Sequence, residues 1–172
     1  CGLGRKGYLL AQGFRALGVP VVVIEKNEDD DQIELCREQG IPVLIGDATD
    51  PNQLRLARVR RAQAVFALFG DDGANADVAA HVRELAAGLR GRGLTCVLHI
   101  VDPQLYALFR EQELPVEQAG AFRQEFFNVF DQGARLLLRR FPPFPDTLAC
   151  RPHPLVIGLG RMGQIYARNL AR

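Results

Sequence analysis

Hydrophobic and polar positions along the N-terminal part of the chain follow two alternating rhythms. Over residues 8–17, Leu10, Phe14 and Leu17 fall at helical spacing, and Gly18 with Pro20 ends the run. Pro20, Val21, Val22, Val23 and Ile24 then form an unbroken apolar stretch closing on Glu25, the pattern of a strand buried on both faces. A helix over 32–39 with Gly40 past its end, and a strand over 41–45, repeat the pair. The turn Gly46-Asp47-Ala48-Thr49-Asp50-Pro51 leads into a helix through Leu54, Leu56, Ala57 and Val59. A strand over 64–69, an Ala-rich helix capped at 71–75 and running to about residue 90, a strand over 95–101 and a helix opened by Asp102 and Pro103 complete the series.

Strand and helix alternate throughout, which predicts a doubly wound α/β fold, a parallel sheet with helices on both faces. After Pro115 the rhythm changes. Residues 116–140 carry Phe122, Phe126, Phe127, Val129, Phe130, Leu136, Leu137 and Leu138, and they read as one long amphipathic helix or a broken pair. So many aromatics on an arm need a partner surface. The Pro-rich stretch 141–146 marks a boundary, and a strand-like run at 154–157 precedes Gly158-Leu159-Gly160-Arg161-Met162-Gly163. That last run repeats the opening of the chain: aligning Gly2 with Gly158 over thirteen residues gives six identities, at Gly2, Leu3, Gly4, Arg5, Gly7 and Ala11. The expected organisation is a domain over 1–115, a helical arm over 116–150 and the start of a second, related unit over 151–172. Because the first glycine run stands directly after Cys1, where a buried strand usually precedes it, the chain is expected to be a fragment of a longer protein with its first strand missing.

Composition narrows the partners. With 172 residues, 48% apolar and 24% charged, the chain is an ordinary water-soluble globule. A net charge of +1 gives no whole-molecule field to draw in nucleic acid or an anionic membrane. No run approaches the 18 or so apolar residues of a membrane span. Cys1, Cys36, Cys96 and Cys150 lie far apart with no Cys-x-x-Cys pair and no metal-ligand cluster, the usage of free buried thiols in a cytosolic protein. The histidines His81, His99 and His153 are scattered and read as structural or surface groups, and Arg58, Arg60 and Arg61 sit at a helix end where cations meet the negative end of the dipole.

The chemistry concentrates in the opening Gly2-Leu3-Gly4-Arg5-Lys6-Gly7. Gly2 allows a tight strand-to-helix turn, Gly4 lets backbone approach a pyrophosphate, and Gly7 lets the helix pack closely on the sheet. The helix N-terminus then presents free N–H groups and a positive dipole end to phosphate, with Arg5 and Lys6 in the loop either neutralising it or standing as solvated charges. Glu25, 18 residues after Gly7, ends the next strand where a carboxylate accepts from ribose hydroxyls and repels a 2′-phosphate. That favours NAD or NADH over NADP, with Lys26 alongside as the feature that blurs the choice. Asp47 ends the third strand and faces the same crevice, or else serves as a turn former or helix cap with Thr49 and Asp50. Whether Gly158, Gly160 and Gly163 bind a nucleotide is left open by the residues. The fold class that follows is a Rossmann-like doubly wound sheet, then a helical arm, then the start of a second Rossmann-like unit.

The opening loop, the Glu25 strand end, Gly46-Asp47-Ala48-Thr49-Asp50 followed by Leu54 and Val59, Ala62, Ala64 and Val65, and Asp71-Asp72 with Asn75 together resemble the TrkA-N family, the nucleotide-binding half of the regulator of potassium conductance (RCK) domain. The resemblance covers residues 1 to about 110. It implies a Rossmann-like cytoplasmic domain that associates as dimers or larger rings and transmits nucleotide or ion binding to a potassium channel or transporter. It also implies that Gly2, Gly4, Arg5, Gly7, Glu25, Asp47, Ala48 and Asn75 line the nucleotide site, and that the Phe-rich segment corresponds to a helix exchanged between subunits. The expected function is a regulatory module that binds NAD or NADH, or alternatively ATP, ADP or AMP, and works as a homodimer or larger homo-oligomer at a membrane channel or transporter. No acid, base or nucleophile stands out for catalysis. Two other classes stay open: the cofactor domain of an NAD-dependent dehydrogenase, and a dimerisation module whose loop binds nothing.

Overall fold

In the computed structural model the described residues are 1–87, 89, 93–111, 122–142, 154–158 and 160–170. They divide into two units, Cys1–Phe126 and Phe127–Arg172. In the first unit α1 (Gly4–Ala16) is followed by β1 (Val23–Glu25), α2 (Gln32–Glu38), β2 (Val43–Ile45), α3 (Pro51–Leu56), a 3-10 turn (Val59–Arg61), β3 (Ala64–Ala67), α4 (Asp72–Ala86), β4 (Leu94–His99), α5 (Pro103–Glu111) and all but the last residue of β5 (Phe122–Phe127). β1 pairs with β2 in parallel, Val23 opposite Val43 and Glu25 opposite Ile45. β3 pairs with β4 in parallel, Ala64 opposite Thr95 and Ala67 opposite Leu98, and β5 lies on the other edge of β4.

Cys1 and Gly2 fill the slot between the two pairs. The Gly2 amide donates to the Ile24 carbonyl at 3.0 Å, while Leu68 donates to the Cys1 carbonyl at 3.0 Å and the Cys1 nitrogen to Phe66 at 2.7 Å. The spatial order is therefore β2, β1, residues 1–2, β3, β4, β5, the doubly wound order with its reversal at the glycine loop. Both faces are covered, as the apolar strands demand. Along β1, Val23 joins Leu3, Ala11, Ile33, Cys36 and Ile41 beneath α1 and α2, while its neighbour Ile24 points the other way into the core of Leu54, Val65, Val78, Val82, Leu98 and Ile100 beneath α3 and α4. Burying one of these Val, Leu or Ile side chains is worth about 1.5–3 kcal/mol.

Local chemistry sets the helix ends. Asp50 caps α3 by accepting from the Asn52 amide at 2.8 Å, with Pro51 in the first turn, and Asp71 caps α4 through Ala74 at 2.7 Å. Gly18 and Gly40, both at positive φ, stop α1 and α2. The strands are shorter than the apolar runs that announce them, because β1 and β2 pair at three positions only.

The aromatic segment departs from the expectation of helix. Phe122–Phe127 is a strand, and the helix α6 (Val129–Arg140) begins only after it, capped by Asn128 accepting from Phe130 at 2.9 Å. Period-two alternation wins: Phe122 and Phe126 pack on the main core, Phe126 stacked on Phe109 with centroids 4.9 Å apart. Between them Arg123 and Glu125 share the opposite face and pair at 2.8 Å. A helix exchanged between subunits therefore has no place over 122–127, and the first unit runs on to Phe126. Residues 112–121 and 143–153, which include most of the Pro-rich stop, Cys150 and His153, lie outside the described residues.

In the second unit α6 packs against α7 (Arg161–Leu170), with Ala134 fully buried and Gly133 facing the Met162 methyl. The expected strand at 154–157 does not form among the described residues. Leu155 and Ile157 are 84% and 90% exposed, and an apolar run without a neighbour to share its ladder has nothing to make it a strand. Cys36 and Cys96 are free and buried; burial pushes the Cys96 thiol up to about 12, so it stays protonated and inert.

Candidate nucleotide site

The site is built at the carboxyl ends of the parallel strands. Gly2 at φ +83° and Gly4 at φ +29° take backbone conformations that side chains resist, and between them Leu3 is fully buried, anchoring the loop in the core under α1. A Cβ on Gly7 would run into the Gly2 carbonyl oxygen, so only glycine lets α1 start this close to the loop. A Cβ on Gly4, in contrast, would meet nothing within 4 Å: that residue faces open space. No side chain caps α1 and no acidic residue sits in its first turn, which leaves its N-terminal amides and dipole for an outside anion. Arg5 is exposed beside them.

Glu25 closes the loop from β1. Its Oε2 accepts from the Leu3 amide at 2.6 Å and its Oε1 from the Asn27 amide at 2.9 Å. Each carboxylate oxygen retains a second lone pair, enough to accept from vicinal hydroxyls. At the end of the next strand Lys26 Nζ reaches Asp47 Oδ2 at 2.7 Å, and Asp47 Oδ1 accepts from the Thr49 amide at 3.0 Å and hydroxyl at 2.7 Å. The Lys26 hydrogen bond first, then the two from Thr49, hold the Asp47 carboxyl down at about 2. Asp47 is thus the turn former and Asp50 the helix cap.

Lys6 behaves differently from Arg5. It turns inward, its Nζ 3.1 Å from His99 Nδ1 at the end of β4. Burial lowers the Lys6 pKa, and burial followed by the Lys6 charge lowers that of His99. Of the basic pair in the loop, only Arg5 faces outward.

Gly2, Gly4, Arg5, Glu25, Lys26 and Asp47 thus stand along one sheet edge, but Ala48 and Asn75 do not present side chains to it. Ala48 is buried in the main core. Asn75 is fully buried, its Oδ1 accepting from the Phe69 amide at 2.9 Å and its Nδ2 donating to the Phe69 and His99 carbonyls at 3.1 and 2.9 Å. Both amide protons are spent on backbone, so the residue clamps the ends of β3 and β4 together. Sequence reasoning missed its neighbour Asp72, whose carboxylate accepts from Val101 at 2.9 Å and Asp102 at 2.8 Å and so ties α4 to the start of α5. Two consecutive aspartates at a helix start are the signal: one caps, and the other is free to reach out. The Lys6–His99 contact, 93 residues apart, left no such signal. Among the described residues no cluster of three or more His, Cys, Asp or Glu is placed for a metal, and no helix is long and apolar enough to cross a membrane.

A glycine loop at the switch point of a doubly wound sheet, an uncapped helix behind it and an acidic strand end beside it define a Rossmann-like module of the nucleotide-binding class. A family model described as the TrkA-N domain matches residues 1–118, and the chain belongs to that family. It is 36% identical over 110 residues to the Trk system potassium uptake protein TrkA homolog of Pyrococcus abyssi, covering 64% of this chain and 46% of that protein. Over 85 residues it is 26% identical to potassium channel protein 1 of Methanocaldococcus jannaschii, covering 49% of this chain and 26% of the channel. The chain thus spans less than half the length of these curated relatives. In fold it resembles the NAD(P)-binding domain of an exopolyphosphatase-related protein from Archaeoglobus fulgidus (TM-score 0.63, 20% identity, 83% of this chain and 95% of that one). It is also similar in fold to GsuK bound to ADP (TM-score 0.61, 21% identity, 94% of this chain and 37% of that one).

Proposed function

We propose that the chain is a cytoplasmic nucleotide-sensing module of a potassium channel or transporter, a regulator rather than an enzyme, with NAD or NADH as the favoured ligand and a homodimer or larger homo-oligomer as the working state. The observation that carries this reading is the loop itself: two left-handed glycines, a third that must be glycine for lack of room, and an uncapped helix end opposite an anchored carboxylate. The relatives add the context, since those named above are a potassium uptake protein and a potassium channel.

A diphosphate on the first-turn amides of α1 is met by the helix dipole and Arg5, while ribose hydroxyls donate to Glu25. Glu25 already accepts from Leu3. A ribose that competes for that oxygen loosens the loop from β1, and one that uses the remaining lone pairs tightens it. A ligand moves a conformational equilibrium only by such differences in contact.

Titration calorimetry and thermal melts with NADH, NAD, ATP, ADP and AMP test the reading. NADH at a hundred times its dissociation constant should stabilise the chain by about 2.7 kcal/mol, a rise of roughly 5–10 °C for a chain of this size. No heat and no shift with any of the five would leave a dimerisation module with an empty loop.

A further inference from the structure

Resting on the nucleotide reading, we propose that Asp47 is a specificity determinant: by holding Lys26 it keeps the ammonium next to the ribose carboxylate out of reach of a 2′-phosphate, so that the site takes NAD(H) and rejects NADP(H).

The geometry is fixed from several sides. Glu25 lies opposite Ile45 in the β1–β2 ladder, and the Gly46 amide donates to the Glu25 carbonyl at 2.8 Å, so Lys26 and Asp47 leave adjacent strand ends side by side. Asp47 cannot easily follow a mobile lysine, since Thr49 grips its Oδ1 with both amide and hydroxyl; Lys26 must come to it, and does so at 2.7 Å. Glu25 is equally immobile, each oxygen taken by a backbone amide. The corner where a 2′-substituent arrives therefore carries two fixed carboxylates and one ammonium already committed to one of them. An uncommitted basic side chain following the acidic strand end would offer a 2′-phosphate a partner. Here the charge left for it is negative. The pair is exposed and adds little to folding; its consequence is in which ligand it admits.

The test uses the whole chain and four ligands, NADH, NADPH, AMP and 2′-AMP. Asp47→Asn preserves an oxygen for Thr49 but frees Lys26 and removes one negative charge. It should lower the preference for NADH over NADPH, and for AMP over 2′-AMP, by up to about fivefold, the upper end of what one exposed charge pair is worth. Adding Lys26→Met to Asp47→Asn should restore most of the preference. Circular dichroism melts of both variants establish that the fold is kept, and Thr49→Val, which loosens the grip on Asp47, should move the preference the same way by a smaller factor. A preference unchanged within twofold in Asp47→Asn, or equal in the single and double variants, overturns the latch while leaving nucleotide binding intact. Wild-type chain that takes none of the four overturns the nucleotide reading as well.

Discussion

Gly7 and Gly13 lie on the same helix and differ in what surrounds them. A methyl group on Gly7 lands on the carbonyl oxygen of Gly2, a backbone atom that no side-chain rotation can move aside. A methyl group on Gly13 meets nothing within 4 Å. Alanine in place of either glycine raises helix stability by about 0.5–1 kcal/mol. At Gly13 that gain stands alone. At Gly7 it is set against an overpacking cost of about 1–3 kcal/mol, because the loop must give way, drawing Gly2 from its 3.0 Å bond to Ile24 and unseating the buried Leu3. The expected outcome is Gly13→Ala more stable than wild type and Gly7→Ala less stable, the two separated by roughly 2 kcal/mol. With a urea dependence of about 2 kcal/mol per molar, that is about 1 M between midpoints. Far-ultraviolet circular dichroism is the probe, since the chain has no Trp. A Gly7→Ala midpoint at or above that of wild type would refute the close approach of helix and loop, and with it the geometry offered to a diphosphate.

Asn75→Ala strands buried Phe69 and His99 backbone groups and should cost about 2–4 kcal/mol in thermal or urea melts; unchanged stability with lost nucleotide binding would make the residue a ligand contact instead of a clamp. His99 sits below its ordinary 6.5 because burial and the Lys6 charge disfavour its cation, so the stability held above pH 6.5 should fall away as pH drops through that value toward the lowered one. Lys6→Met removes one of those causes and should shrink the loss, which melts at pH 7 and pH 5 would show, and proton NMR should find His99 titrating below 6.5 in wild type. Phe126→Ala should cost about 2–3 kcal/mol and Arg123→Ala under about 0.5 kcal/mol; equal effects would contradict the strand alternation at β5.

What was legible in the chain was what local chemistry decides. Apolar β-branched runs ending on Glu25 and before Gly46 announced parallel strands, and Gly18, Gly40, Asp50 and Asp71 announced helix ends, each by a mechanism confined to a few residues. The aromatic segment misled because Phe122, Phe126, Phe127 and Phe130 also recur at helical spacing; only contact with the main core and Phe109 selects period two. Asn75 misled for a related reason. An amide near a sheet edge looks the same in sequence whether it turns toward a ligand or toward the backbone beneath, and the Phe69 and His99 carbonyls decide it. Lys6 reads as Arg5's companion until the end of β4 comes within reach.

The two glycine runs separate what a loop can encode from what a sheet must add. Gly158 takes φ +98° as Gly2 takes +83°, and a Cβ on Gly163 would strike the Gly158 oxygen as one on Gly7 would strike that of Gly2. Helix α7 follows the second run as α1 follows the first. The positive φ of the first glycine and the tight approach of the third therefore recur whether or not a strand pairs beside them. In the first copy Cys1 and Gly2 bond to Ile24, Phe66 and Leu68, and β1 delivers Glu25 to the Leu3 amide. In the second, residues 154–158 pair with no strand among the described residues, and Leu155 and Ile157 face outward. The close approach of the third glycine to the carbonyl of the first is thus a local property of Gly-Leu-Gly-Arg-x-Gly. What the first copy adds is the neighbouring strand ends, where Glu25 holds the Leu3 amide and Lys26 pairs with Asp47.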